Sequence, residues 1–268
     1  MLNLNNLRLA VLIDAENVPR NCIKNVMEEI AIYGTPTIKR IYGDWTSPAI
    51  SGWKVSLLEN AITPIQQYSY TTGKNSSDSA MIIDAMDILY SDKTDGFVIV
   101  SSDSDFTRLA IRLREAGQRV IGIGERKTPT AFIAACDKFT YIEVIRANAA
   151  ESSNENSDLS EFDDDIHKQN VHQREKQSHS LKQRGMKVPE DIEQLIADSV
   201  ADLAGDSGAV FMGELGNLIL KKQPAFDHRN FGFKSLSALI KSIERFEIEF
   251  RQTTDPNIKH VFVKDKEN

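Results

Sequence analysis

The sequence predicts an α/β fold, a three-layer and mostly parallel sheet, followed by a small winged helix-turn-helix domain. Three observations carry this. Short β-rich runs alternate with amphipathic helical patterns through residues 1–146, and strand–helix alternation implies a parallel sheet with helices on both faces. Residues 147–187 then lose almost all apolar content. Such a stretch buries too little to offset chain entropy, which predicts a disordered linker. Residues 188–268 change pattern again, to three amphipathic helices and a two-strand hairpin.

The β-rich runs are Leu9–Ile13, Thr37–Tyr42, Thr63–Gln67, Phe97–Val100, Val120–Ile123 and Tyr141–Ile145. The first helix, Pro19 to Ala31, carries Ile23, Met27 and Ile30 on one side. Pro19 stands in the first turn, where its missing N–H costs nothing. Ser47 to Asn60 forms the second. The third starts at Asp78 and aligns Asp78, Ile82, Ala85 and Leu89 on one stripe. The fourth turns Phe106, Leu109, Ala110 and Leu113 inward and stops at Gly117. A short fifth begins at Thr128 or Pro129. Beyond the linker, Pro189–Leu203, Phe211–Leu220 and Ser235–Phe246 are the three later helices. Phe246–Arg251 and His260–Val263 alternate as strands, with Asp255, Pro256 and Asn257 as the turn between them.

With 268 residues and 41% hydrophobic content the chain can fill one large or two small cores. No apolar run approaches the roughly 18 residues of a membrane span. The start, Met1 to Arg8, lacks the basic and apolar stretches of a signal peptide. Cys22 and Cys136 are too few for a zinc knuckle and read as buried, reduced thiols of a cytoplasmic protein. The net charge of −7 excludes a surface coated with basic residues. It is spread unevenly: −1 over residues 1–146, −2 over 147–187 and −4 over 188–268. His167, His172 and His179 lie in the linker at spacings that match no zinc pattern.

The chemistry is carried by four aspartates. Asp14 ends the first apolar run, Asp103 and Asp105 follow the fourth in Ser101-Ser-Asp-Ser-Asp-Phe106, and Asp78 opens the third helix. Carboxylates at the carboxyl ends of buried parallel strands point into one crevice. Crowded carboxylates repel and call for a cation, and hard oxygen ligands select Mg²⁺ or Mn²⁺. Taken singly, Asp78 reads equally well as a first-turn acid favoured by the helix dipole, and Asp103 as a cap. Asp103 and Asp105 together, two acids in one tight turn, are harder to explain that way. The expected site holds one or two ions on Asp14, Asp78 and Asp103, with Asp105 as a further ligand. Asn17 positions substrate or water. Lys74, Ser101, Ser102 and Arg108 are expected to contact substrate phosphates. Asp84 and Asp87 fall on other helix faces and are left out, and Glu16 and Asp44 are weaker candidates.

Val11-Leu-Ile-Asp-Ala-Glu-Asn17, Lys74-Asn-Ser-Ser-Asp78 and Val100-Ser-Ser-Asp-Ser-Asp-Phe106 together resemble the NYN domain family, in its LabA-like branch, over about residues 7–146. The resemblance implies a PIN-like fold and metal-dependent ribonuclease activity. It maps the family's motif acids onto Asp14, Asp78, Asp103 and Asp105, and its motif amide onto Asn17. The segment Phe226-Asp-His-Arg-Asn-Phe-Gly-Phe-Lys-Ser-Leu236 resembles a LOTUS, or OST-HTH, domain over roughly 188–265. That implies a winged helix that binds RNA, including G-rich structured RNA, and contacts proteins. Lys222, Arg229 and Lys234 are the expected phosphate contacts there.

The expectation is a metal-dependent endoribonuclease with a C-terminal RNA-targeting module, acting on single-stranded or structured RNA. The alternative is a non-catalytic RNA-binding or adaptor protein with a vestigial acidic site. An aspartyl-phosphate phosphatase would need a second aspartate two residues after Asp14, where Glu16 stands. No Gly-x-x-x-x-Gly-Lys-Ser/Thr loop is present for an NTPase.

Overall fold

The computed structural model describes residues 7–68, 76–157, 188–205, 208–252 and 259–267. They form two compact units, each taken by itself below. The first is built on six strands: β1 (Arg8–Asp14), β2 (Thr35–Gly43), β3 (Thr63–Gln66), β4 (Gly96–Val100), β5 (Arg119–Gly124) and β6 (Lys138–Tyr141). Their order is β3-β2-β1-β4-β5-β6, and all five pairings are parallel. The connecting helices are α1 (Ile23–Tyr33), α2 (Lys54–Asn60), α3 (Ser76–Tyr90), α4 (Thr107–Glu115) and α5 (Thr130–Ala135). Short 3-10 turns at Arg20–Cys22, Pro48–Trp53 and Ser104–Phe106 lead into α1, α2 and α4.

Each strand of the middle pair is buried on both sides, which is why β1 and β4 read as unbroken apolar runs. Side chains alternate across a strand, so the two sets feed separate layers. Leu9, Val11 and Ile13 pack with Ile23, Val26 and Ile30 of α1 and Leu57 of α2. Ala10, Leu12, Phe97 and Ile99 pack with Met81 and Ala85 of α3, Leu109 and Leu113 of α4, and Phe132 of α5. This is the expected three-layer α/β arrangement. On α3 the buried line is Asp78, Met81, Ala85 and Ile88, with Ile82 and Leu89 at its margin. The stripe thus keeps Asp78 and Ala85 of the expected one and takes Met81 and Ile88 in place of Ile82 and Leu89.

Two expectations are corrected. The sixth strand lies at Lys138–Tyr141, not Tyr141–Ile145. Tyr141 pairs with Gly124, the last residue of β5, so no partner strand remains beyond it. Ile142 and Ile145 instead enter the α1-side core from a helix, α6 (Ile142–Ser157). That helix carries helical backbone through residues 147–157, the first part of the stretch expected to be a structureless linker. The rest of that stretch, 158–187, with its histidines, lies outside the described residues.

The second unit holds α7 (Glu190–Leu203), β7 (Ala209–Phe211), α8 (Met212–Lys222) up to Ile219, α9 (Leu236–Lys241), β8 (Phe246–Gln252) and β9 (Lys259–Asp265). The three helices and the hairpin appear in the expected order. The third helix is shorter than expected: Ser235 caps it by accepting from the Ala238 N–H, and it stops at Lys241, before the strand that starts at Phe246. The strand β7 was not expected. It pairs with β9, making an antiparallel three-strand sheet in the order β7-β9-β8. The expected turn residues Asp255, Pro256 and Asn257 lie outside the described residues.

Candidate functional site

The strand order reverses between β1 and β4: β2 and β3 lie on one side, β5 and β6 on the other. Loops diverge at such a switch point and leave a crevice at the carboxyl ends of the strands. β1 ends on Asp14, and β4 ends at Val100 just before the Ser101–Phe106 segment. The two acidic motifs, 89 residues apart at Asp14 and Asp103, are therefore neighbours because β1 and β4 pair directly.

Asp14 is 1% exposed and its carboxylate is held by the chain itself. Oδ1 accepts from the N–H groups of Glu16 (3.0 Å) and Asn17 (3.3 Å). Oδ2 accepts from the Asn17 side-chain amide (2.7 Å) and the Ser101 hydroxyl (2.9 Å). The Ser101 oxygen in turn accepts from the Asp103 N–H at 3.1 Å. Asp103 caps the next turn, its Oδ1 accepting from the Asp105 N–H at 2.9 Å. Asp78, in the first turn of α3, is 7% exposed.

One carboxylate oxygen each from Asp78, Asp103 and Asp105 lies within 4.8 Å of the others. Asp14 is not one of these three. Its charge still reaches Asp78: burial first, then the charges of Asp14, Asp103, Asp105 and Glu16, push the Asp78 carboxyl up to about 7. Glu16 is also raised, by burial and then by Asp14 and Asp44. Three hard oxygen donors in mutual repulsion fit a divalent cation such as Mg²⁺ or Mn²⁺.

The remaining expected residues are distributed as follows. Asn17 faces Asp14 with both its backbone and side-chain N–H groups. Ser101 and Ser102 are buried, at 0% and 7% exposure, and the Ser102 oxygen accepts from the Glu125 N–H at 2.8 Å. Both hydroxyl oxygens are therefore engaged inside the crevice, where a surface contact was expected. Arg108 is exposed on α4. Lys74 lies outside the described residues. Asp84, left out on helical spacing, is occupied by Arg40 and the Tyr42 hydroxyl. Lys222 and Lys234 are exposed. Arg229 is not available in the expected way: its guanidinium grips the buried Asp227 at 2.6–3.1 Å. Adjacent placement two residues apart let the acid claim it first.

Two features of the crevice had no signal in the sequence. Gly124, at the end of β5, admits the Ser101 carbonyl so closely that a Cβ there would sit 2.6 Å from it. Beside the Asp14 turn, a cavity of about 430 Å³ is lined by Glu16, Arg20, Asp44 and Trp53, among others.

The NYN domain family model matches residues 8–145, and that of the OST-HTH/LOTUS domain matches residues 187–258. No curated protein matches the chain. Among solved structures, a protein of unknown function from Vibrio parahaemolyticus is similar at 21% identity and a TM-score of 0.43, over 53% of this chain and 96% of that one. An uncharacterized protein from Nitrosomonas europaea is similar at 24% identity and a TM-score of 0.28, over 39% of this chain and 91% of that one. NYN domains are generally nucleases, and OST-HTH/LOTUS domains bind RNA. With its six-strand parallel sheet and the acids gathered at the switch point, the chain belongs to the NYN domain family and carries an OST-HTH/LOTUS domain after it.

Proposed function

We propose that the protein is a metal-dependent endoribonuclease that hydrolyses RNA phosphodiesters, with residues 188–268 as its RNA-targeting module and 147–187 joining the two. The observation that carries this reading is the trio Asp78, Asp103 and Asp105, with oxygens within 4.8 Å of one another. These three would hold the ion. A divalent ion there would supply Lewis-acid polarisation of a phosphoryl oxygen and activation of the attacking water.

The chain's own groups set up the arrangement. Asp14, saturated by internal donors, acts as a fixed negative charge behind the trio. Asn17 holds that carboxylate from one side and Ser101 from the other, and Ser101 also positions the Asp103 backbone. Arg108 is the candidate for a phosphate contact, as is Lys74. The same internal bonds favour a second reading, an RNA-binding adaptor, because Asp14 and Asp103 have structural partners without any ion. One experiment separates them. The purified protein is incubated with single-stranded and structured RNA in Mg²⁺, Mn²⁺ or EDTA, beside Asp103→Asn. Cleavage that needs metal and disappears in the variant is expected. RNA binding without cleavage under every condition would leave the adaptor.

A further inference from the structure

The three-strand sheet of the second unit has one face in the core and one in solvent. Side chains alternate along each strand, and residues directly opposite one another share a face. Val210 and Val263 oppose each other and are 2% and 0% exposed, so their face is the core. The other face carries Phe211 opposite Phe262, and His260 opposite Arg251. Solvent faces of antiparallel sheets are ordinarily polar. Here two phenyl rings form the floor of a patch, with centroids 5.9 Å apart.

That floor is topped by two planar groups that reach solvent. The His260 ring lies over Phe211 at 5.1 Å with a tilt of 35°, and the Arg251 guanidinium lies 4.3 Å above the Phe262 ring. His260 and Arg251 are both exposed. Arg251 is also paired with Glu249 at 2.9 Å, and Glu247 and Lys264 oppose each other on the same face. The patch is thus close to neutral, yet it presents two pre-oriented planes. Imidazole rings and guanidinium planes are the surfaces on which unstacked bases settle. Base stacking is sequence-tolerant because every base has a π-face.

We propose that this face binds single-stranded RNA by stacking bases on His260 and Arg251, above the Phe211–Phe262 floor. This rests on the reading of the second unit as the RNA-targeting module, and assigns the contact to the sheet instead of the Lys222–Lys234 region. Single-stranded RNA is the occupant because a near-neutral, planar surface offers stacking but little phosphate neutralisation, which a duplex would need.

The test uses the full chain carrying Asp103→Asn, so that binding is read without cleavage, and a short labelled single-stranded RNA followed by anisotropy. Arg251→Ala with His260→Ala is expected to weaken binding by about tenfold or more, the loss of one to two stacked bases. Arg251→Lys, which keeps the charge but not the plane, is expected to lose affinity as well, while His260→Tyr retains it. Affinity is expected to fall only gently with salt, since few phosphates are neutralised. Unchanged affinity in the double variant overturns the proposal, as does an equal loss for duplex RNA or no binding of single strands by the parent. A change in sedimentation with RNA affinity unaltered would make the face a contact between copies of this chain, and also overturn it. Failure of metal-dependent cleavage in the protein with Asp103 intact would sink the nuclease reading alone.

Discussion

Ser101 donates its hydroxyl to Asp14 at 2.9 Å and accepts the Asp103 N–H at 3.1 Å, so one buried oxygen ties the ends of two adjacent strands together. Asp14, expected as a ligand beside Asp78 and Asp103, is buried and takes this bond. The acids that cluster, Asp78, Asp103 and Asp105, come from the segments around it.

Replacing Ser101 with Ala would remove a donor from Asp14 and leave the Asp103 N–H without its acceptor. A loss of about 1–2 kcal/mol of stability is expected, seen by chemical denaturation. Groups that orient ligands also set affinity, so Mn²⁺ binding by calorimetry should weaken by about tenfold or more. Unchanged Mn²⁺ binding would show that the Asp103 position does not depend on this bridge.

Asp78 makes the ion-free protein sensitive to pH. Its folded value of about 7 lies above the ordinary 3.8, so the protonated carboxyl favours the folded state. That contribution is complete below about pH 4 and is lost as pH rises through about 7. In EDTA the melting temperature should therefore fall between pH 5 and pH 8, roughly, and fall less in Asp78→Asn. Adding Mg²⁺ should restore the parent at the higher pH and not the variant. A parent and variant that melt in parallel across this range would contradict the assignment.

Gly124→Ala tests how tightly the crevice is built. The added Cβ would meet the Ser101 carbonyl at 2.6 Å and the Thr128 hydroxyl at 2.7 Å. Backbone cannot move aside as a flexible side chain can, so a cost of about 1–3 kcal/mol is expected in urea unfolding. A neutral outcome would mean that β5 shifts freely against the Ser101 segment.

In the second unit, Arg245 grips the buried Asp265 at 2.8–3.0 Å. Burial raises the Asp265 carboxyl, but the Arg245 hydrogen bonds, the Glu267 N–H and the Arg245 charge together bring it below its ordinary value. The stabilisation is present above about pH 4 and lost as pH falls below it. Asp265→Ala leaves Arg245 only its contact with Glu267 at 3.3 Å and should cost about 1–3 kcal/mol at neutral pH. Circular dichroism of the variant against the parent, at pH 7 and at low pH, reads both effects: the difference should shrink on acidification.

The fold was legible where the signal is local. Unbroken apolar runs at Leu9–Ile13 and Phe97–Val100 mark strands buried on both faces, and β1 and β4 are such strands. The same logic misassigned Tyr141–Ile145, whose β-branched residues suit a strand or a buried helix alike; only the end of β5 at Gly124 decides between them. The stretch after residue 146 reads as linker by composition, but α6 continues to Ser157 once Ile142 and Ile145 have anchored its first turn.

By itself the sequence determined the alternation of strands and helices in the first unit, the α/β class and the acids at strand ends, because periodicity and strand-end position depend on neighbours along the chain. Tertiary structure alone decided which acids meet. Asp14 and Asp103 approach because β1 pairs with β4, a long-range choice that no local pattern encodes. It also decided that Ser101 turns inward and that β7 pairs with β9 to set Phe211 beside Phe262. Each of these depends on which groups are brought within a few ångströms, and hydrogen bonds, ion pairs and ring contacts act only over that distance.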